Sequence, residues 1–307
     1  MRSIFRPSKD EQDHRATRGS RTRGQAAVSG LTVGFAAGLL PTLAAPVVQA
    51  APPCKEYLAL GIPGSNQGFD NAAEWKAAGY ALGDSAYGEQ VADVLTALTS
   101  ELPSTLSLPV FYPAAGVDGI DPAAAKLTYN VSAYKMSKDE GYAVAYRLLE
   151  DWARSCPSAK FFLVGYSQGA HIAADLAQTV FHQGSPLDRD RIAGVVLIAD
   201  PAYNGASPGA TEFIFTDDTL SKDPDHWQIH GSLGTRAEFD TGDPVISICI
   251  YGDPICDNNS VGAGGFNARV AADKAWMHTE LYTGHAYADS AGLAEWLGKT
   301  IADRTRN

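Results

Sequence analysis

After its first fifty residues the sequence has no apolar run long enough to cross a bilayer, which excludes a spanning helix there. It has no internal repeat, no Gly/Ser or Pro linker and no block of like charge, so that part of the chain reads as one domain. Positive charge is also scarce, with 24 Lys and Arg against 35 Asp and Glu. The first fifty residues hold 7 of those basic residues and 3 of the acidic ones, which leaves 17 against 32 and a formal net of −15 for the rest. An acidic surface of that size disfavours nucleic acid and anionic lipid head groups as partners and favours solubility.

Cysteine is sparse too, and no C-x2-C spacing occurs, which argues against a zinc site. The four cysteines, Cys54, Cys156, Cys249 and Cys256, all lie beyond residue 50. An even count in an exported chain implies two disulfides with three possible connectivities. Cys249 and Cys256 are near enough to close a small loop, which leaves Cys54 for Cys156. Export is expected from the N-terminus. Arg2, Arg6, Lys9, Arg15, Arg18, Arg21 and Arg23 precede a small, apolar run from about Ala26 to Val48 that ends Val48-Gln49-Ala50. This is the pattern of a cleaved signal peptide over residues 1–50 with no twin arginine, and Gly30, Gly34, Gly38, Pro41 and Pro46 count against a retained anchor. Residues 51–307 are then the mature domain, secreted and free to associate with the cell envelope.

In that domain strand-like and helix-like segments alternate. Strands are predicted at 56–62, 108–112, 161–164, 193–199 and 245–250, and helices at 88–102, after the elbow at 165–169, and near the C-terminus, where Leu293, Trp296, Leu297, Thr300 and Ile301 form a stripe. Ser137-Lys138-Asp139-Glu140 reads as a capping box opening a further helix to about Ser155. The alternation predicts an α/β three-layer sandwich, a central parallel sheet of about five strands with helices on both faces. Ligands of such sheets bind beyond the carboxyl ends of the strands.

The most informative stretch is Gly165-Tyr166-Ser167-Gln168-Gly169, preceded by Phe161-Phe162-Leu163-Val164 and followed by Ile172, Ala173, Leu176, Ala177 and Val180 at helical spacing. Strand, G-x-S-x-G and helix together describe a nucleophile elbow, with glycines where a sharp turn leaves no room for side chains. A serine hydroxyl needs a base, and the base needs an acid to orient it. In elbow-bearing chains these follow in the order Ser, Asp or Glu, His. His171 and His182 lie on or just past the elbow helix and read as structural. His226 and His230 have metal-pair spacing but no third ligand. His278 and His285 remain, and His285 is favoured for its place just before the last helix. For the acid, Asp200 and Asp253 each follow a buried strand and precede a proline, and Asp253 lies inside the Cys249 to Cys256 loop.

Gly-Tyr-Ser-Gln-Gly-Ala at 165–170, Cys156-Pro157 before it, Cys54, and Cys-x2-Gly-Asp-Pro-x-Cys at 249–256 together resemble the cutinase family of secreted serine esterases, across about residues 54 to 303. The resemblance implies an α/β-hydrolase sheet without a lid domain, the same two disulfides, Ser167 as nucleophile, Asp253 as acid and His285 as base. It further implies an oxyanion hole built from the backbone N–H of Gln168 and a second donor at Ser65, or its neighbours Gly64 and Asn66. Three features depart from the family pattern. The 203–244 segment is longer and more polar, Tyr287 stands second rather than third after His285, and the first loop reads Pro-Gly-Ser-Asn-Gln. The Tyr287 position keeps His278 open as the base.

The expected chemistry is acyl transfer through an acyl-serine, with no metal or organic cofactor. The expected substrates are apolar acyl esters, small or polymeric, including cutin-like polyesters and envelope lipids, acted on by a monomer. The alternatives are a carbohydrate deacetylase of the acetylxylan-esterase type and a catalytically silent relative that binds lipid or envelope polymer.

Overall fold

The apolar runs at 161–164 and 195–198 are buried on both sides, as strands of a covered parallel sheet must be. Because strand side chains alternate, each run feeds two cores. Phe162, Val164, Val196 and Ile198 face one core, and Phe161, Leu163, Val195 and Leu197 face the other. A computed structural model describes residues 54–67, 86–115, 133–182, 185, 187–223, 225, 228–257 and 274–307. These fall in one unit, Pro52–Asn307. The expected signal segment and His226 lie outside the described residues.

The elements in chain order are β1 (Tyr57–Ile62), α1 (Glu89–Glu101), β2 (Thr105–Pro109), α2 (Ala133–Ser155), β3 (Lys160–Tyr166), α3 (Gln168–His182), β4 (Ile192–Ile198), β5 (Ala210–Thr216), β6 (Thr219–Lys222), β7 (Val245–Ile250), α4 (Ala275–Glu280) and α5 (Leu293–Arg306). The described strands form a seven-stranded sheet in the order β2-β1-β3-β4-β7-β5-β6. All neighbours pair parallel except β5 with β6. One core lies against α1 and α5, through Val91, Val94, Leu95 and Leu98 and through Leu293, Leu297 and Ile301. The other lies against α2 and α3, through Ala145 and Leu149 and through Ile172, Ala173, Leu176 and Val180.

The strand order reverses between β1 and β3, so the loop leaving β1 and the turn leaving β3 diverge and open a crevice at their carboxyl ends. Both disulfides form. Cys54–Cys156 ties the start of β1 to the end of α2, and Cys249–Cys256 closes the turn after β7.

Three expectations need correction. The sheet has seven strands rather than about five, because the polar 203–244 segment contributes the β5–β6 hairpin, held by Phe213 packed against Tyr287 and Trp296. Strand β2 lies at 105–109, three residues earlier than expected at both ends. Ser137 is not a helix cap: α2 already runs from Ala133, and the Ser137 side chain is buried within it.

Candidate active site

Strand β3 delivers Tyr166, and the turn after it presents Ser167, the candidate nucleophile. Ser167 sits at φ 54°, a left-handed backbone that costs a non-glycine residue about 1–3 kcal/mol and is tolerated where surrounding structure imposes it. Its N–H donates to Ile198 O on β4 (2.9 Å), and its own carbonyl accepts from His171 N (3.0 Å) as α3 begins. The flanking glycines leave no room for a side chain. A Cβ at Gly165 would lie 2.3 Å from Gly169 O, and one at Gly169 would lie 2.0 Å from Ile62 O.

The side chain facing Ser167 is His278, on the short helix α4. Its Nε2 lies 3.0 Å from Ser167 Oγ, and its Nδ1 lies 2.9 Å from Asp253 Oδ2 and 3.1 Å from Oδ1. A ring nitrogen facing a carboxylate carries the proton, which leaves Nε2 to accept from the serine. The imidazole is stacked on the Tyr166 ring, centroids 4.8 Å apart, and Tyr166 OH donates to the carbonyl of His278 (2.8 Å).

His285 does not meet Ser167, contrary to the expectation. The chain turns after α4, where Leu281 and Tyr282 are buried, and His285 emerges beyond that turn with its ring 4.7 Å from Phe215 of β5. The hairpin from the long polar segment therefore receives it. Tyr287 serves packing against Phe213 and Trp296.

Asp253 is fully buried in the turn that Cys249–Cys256 closes. Its Oδ1 accepts from Ile255 N (2.8 Å), and its Oδ2 accepts from Tyr282 OH (2.8 Å) as well as from His278. Burial first, and the neighbouring Asp253 charge second, push the Tyr282 hydroxyl well above its ordinary pKa, so it remains a donor. Asp200, the other candidate acid, is engaged elsewhere. It accepts from Arg236 Nε (2.6 Å) and Ala202 N (2.9 Å). Arg236 also holds Asp175, which pairs with Lys138.

Gln168 and Ser65 are the candidate oxyanion donors, and each has a donor group that no protein acceptor takes up. Gln168 is the first residue of α3, a position whose N–H has no intrahelical partner. In the loop after β1, Gly64 N donates to Gln67 Oε1 (3.1 Å) and Asn66 N to Ala114 O (2.7 Å). Ser65 Oγ is buried without a partner, so of the three candidate residues Ser65 has a donor to spare. The side chain of Gln168 is wholly buried. Its Oε1 accepts from Ser137 Oγ (3.1 Å), its Nε2 donates to Tyr134 O (3.3 Å), and Ser137 Oγ accepts from Ala115 N (2.9 Å).

His171 and His182 lie apart from this chemistry. His171 Nδ1 is 3.1 Å from Tyr134 OH, and burial lowers its pKa to about 4, against the pull of Asp175 and Asp200. Among the described residues one grouping, His182, Asp240 and Asp243, brings possible metal ligands within 4.8 Å. Asp243 there is already engaged by Arg189 Nη2 (2.6 Å) and Asp240 N (2.8 Å), so ion pairing accounts for it.

Sequence reasoning missed Tyr282, Tyr166, Gln90 and Gln67 around the site. Tyr282 stands four residues after His278 but past the end of α4, so helical spacing gave no signal for it. Gln90, which is buried, and Gln67, which is half-buried, carried none.

Residues 82–269 match the family model described as Cutinase. Two curated relatives match over shorter stretches. The Carboxylesterase Culp6 homolog of Corynebacterium glutamicum is 36% identical over 84 residues, 27% of this chain and 26% of that protein. Cutinase CUT1 of Coprinopsis cinerea is 37% identical over 83 residues, 27% of this chain and 40% of that one. The matches thus span about a quarter and two fifths of these relatives. Among solved structures, an acetylxylan esterase aligns at TM-score 0.49 and 17% identity, covering 83% of this chain and 98% of that one. The family match takes in the elbow, both residues of the Cys249–Cys256 turn and Asp253, and it stops short of α4. With more than half its length inside that match, the chain belongs to the cutinase family.

Proposed function

We propose that the protein is a serine carboxylic-ester hydrolase in which Ser167 is the nucleophile, His278 the base and Asp253 the acid. The observation that carries this reading is the unbroken contact from Ser167 Oγ to His278 Nε2 (3.0 Å) and from His278 Nδ1 to Asp253 Oδ2 (2.9 Å). Ser167 Oγ attacks the ester carbonyl carbon as its proton passes to His278 Nε2. Asp253 stabilises the imidazolium, and the backbone N–H of Gln168 with Ser65 receives the developing oxyanion. His278 then protonates the departing alcohol, leaving an acyl-serine. Water, deprotonated by the same nitrogen, releases the acid and restores the serine. Every proton removed is returned, and the chain's own groups suffice for each step.

Apolar acyl esters are the proposed substrates. The match to the cutinase family model supports this substrate class. Secretion is supported by the two disulfides and by the N-terminal pattern. Among the described residues no helix is long and apolar enough to cross a membrane.

The test is a chain-length series of p-nitrophenyl esters run beside acetylated xylan, with fluorophosphonate labelling of the wild type and Ser167→Ala. Hydrolysis and labelling that vanish in Ser167→Ala are expected. Activity that survives this substitution overturns the nucleophile, and deacetylation without ester-series activity overturns the substrate class.

A further inference from the structure

Helix α4 carries the base, yet none of its six residues is buried, so hydrogen bonds at its edges add to the packing of Met277 and the stacking of His278 on Tyr166 in fixing its position. One of them comes from a distance. Gln90, on the first turn of α1 and only 2% exposed, donates from Nε2 to Thr279 O (2.9 Å), the carbonyl next to His278. Gln90 Oε1 accepts from Gln67 Nε2 (2.8 Å), and Gln67 Oε1 accepts from Gly64 N (3.1 Å), the residue before Ser65.

The ends of this chain leave its direction no freedom. Gly64 N–H can only donate and Thr279 O can only accept, so each amide between them has one admissible orientation. A buried glutamine in a helix face otherwise filled by Val91, Val94 and Leu95 is costly unless both ends of its amide are satisfied, and here both are. Gly88 makes space for the link: a Cβ there would lie 2.4 Å from Gln67 Oε1.

We propose that Gln67 and Gln90 are positioning residues that hold the loop of the oxyanion donor Ser65 and the helix of the base His278 at a fixed separation. Neither touches the reacting atoms. Their effect is to keep Oγ, Nε2 and the oxyanion donor in register while the tetrahedral intermediate forms, and errors of about 1 Å in such geometry cost on the order of 100-fold in rate. The proposal rests on the triad reading above.

A double-mutant cycle tests it, with kcat and KM for p-nitrophenyl butyrate measured well below the melting temperature. Gln67→Leu and Gln90→Leu are each expected to lower kcat by at least about 10-fold with KM little moved, and the double variant to lose no more than the worse single. Gln67→Glu keeps an acceptor for Gly64 N–H but removes the donor to Gln90, and is expected to match Gln67→Leu. It also serves where Gln90→Leu fails to fold. The proposal is overturned if kcat stays within about twofold of wild type. It is equally overturned if the two losses multiply, or if Gln67→Glu behaves as wild type. Inactive wild-type protein, or activity surviving in Ser167→Ala, sinks the triad reading instead, so the two failures are distinct.

Discussion

His278 and His285 stand seven residues apart, and the difference between them shows where a chain read as a string loses information. Both follow the acid and both precede the last helix. What separates them is that Leu281 and Tyr282 turn inward together, which directs His278, four residues before Tyr282, toward Asp253 and carries His285 past the site to Phe215. Ser167 and Asp253 could be singled out as candidates because each lies in a short motif whose geometry is local. The histidine that contacts Ser167 could not, because it depends on how a loop packs. His278→Ala is expected to lower kcat/KM by at least about 100-fold and His285→Ala by only a few-fold, measured on one short ester. The two aspartates separate by different readouts. Asp253→Asn should cost about 10⁴-fold in kcat through the wrong histidine tautomer. Asp200→Asn should leave turnover per folded molecule nearly intact and lower unfolding stability by about 1–3 kcal/mol, because it removes one of the two carboxylates that face buried Arg236 and leaves Asp175 as the other. Denaturant titration beside kinetics reads both.

At the scale of elements, the buried strands were predicted well, since period-two burial on both faces leaves a continuous apolar run. β7 falls at the predicted 245–250, and β4 within one residue of its predicted ends. The hairpin β5–β6 was missed because its strands are only partly buried and mix Thr and Glu with Phe. Ser137 misled for a different reason. Serine, then acid three residues on, looks like the start of a helix, yet here the hydroxyl is needed inside one, to reach Gln168. The side chain of Gln168, which a backbone role alone would leave dispensable, is thus part of how α2 and the elbow are joined. Gln168→Ala is expected to lower kcat by about 10-fold or more while its backbone N–H remains, with KM for a short ester little changed.

For the whole molecule, pH acts on stability through a buried side chain outside the triad. His171 is buried among Tyr134, Asp175, Asp200, Arg236 and Lys138, and its folded value of about 4 lies below the ordinary 6.5. As pH falls, the unfolded chain takes up this proton first, so stability rises with pH across that interval and is lost as pH drops from about 6.5 toward about 4. The loss from this group is about 3 kcal/mol. Asp175, held low by His171, Arg236 and Lys138 against its burial, yields only at still lower pH. Melting temperatures taken at intervals between pH 7 and 4 should fall for the wild type and fall less steeply for His171→Leu.

The two disulfides of this one domain differ in their access to solvent. Cys54 is exposed, whereas Cys249 and Cys256 are wholly buried under the acid's turn. Thiol exchange requires the attacking sulfur to reach its target, so a reductant should open the N-terminal bond long before the one that fixes Asp253. Counting released thiols against remaining turnover should therefore give a plateau: the first pair appears while catalysis persists, and activity falls only with the second. A protein built this way ages in two stages, losing the anchor of its first strand while its chemistry still runs.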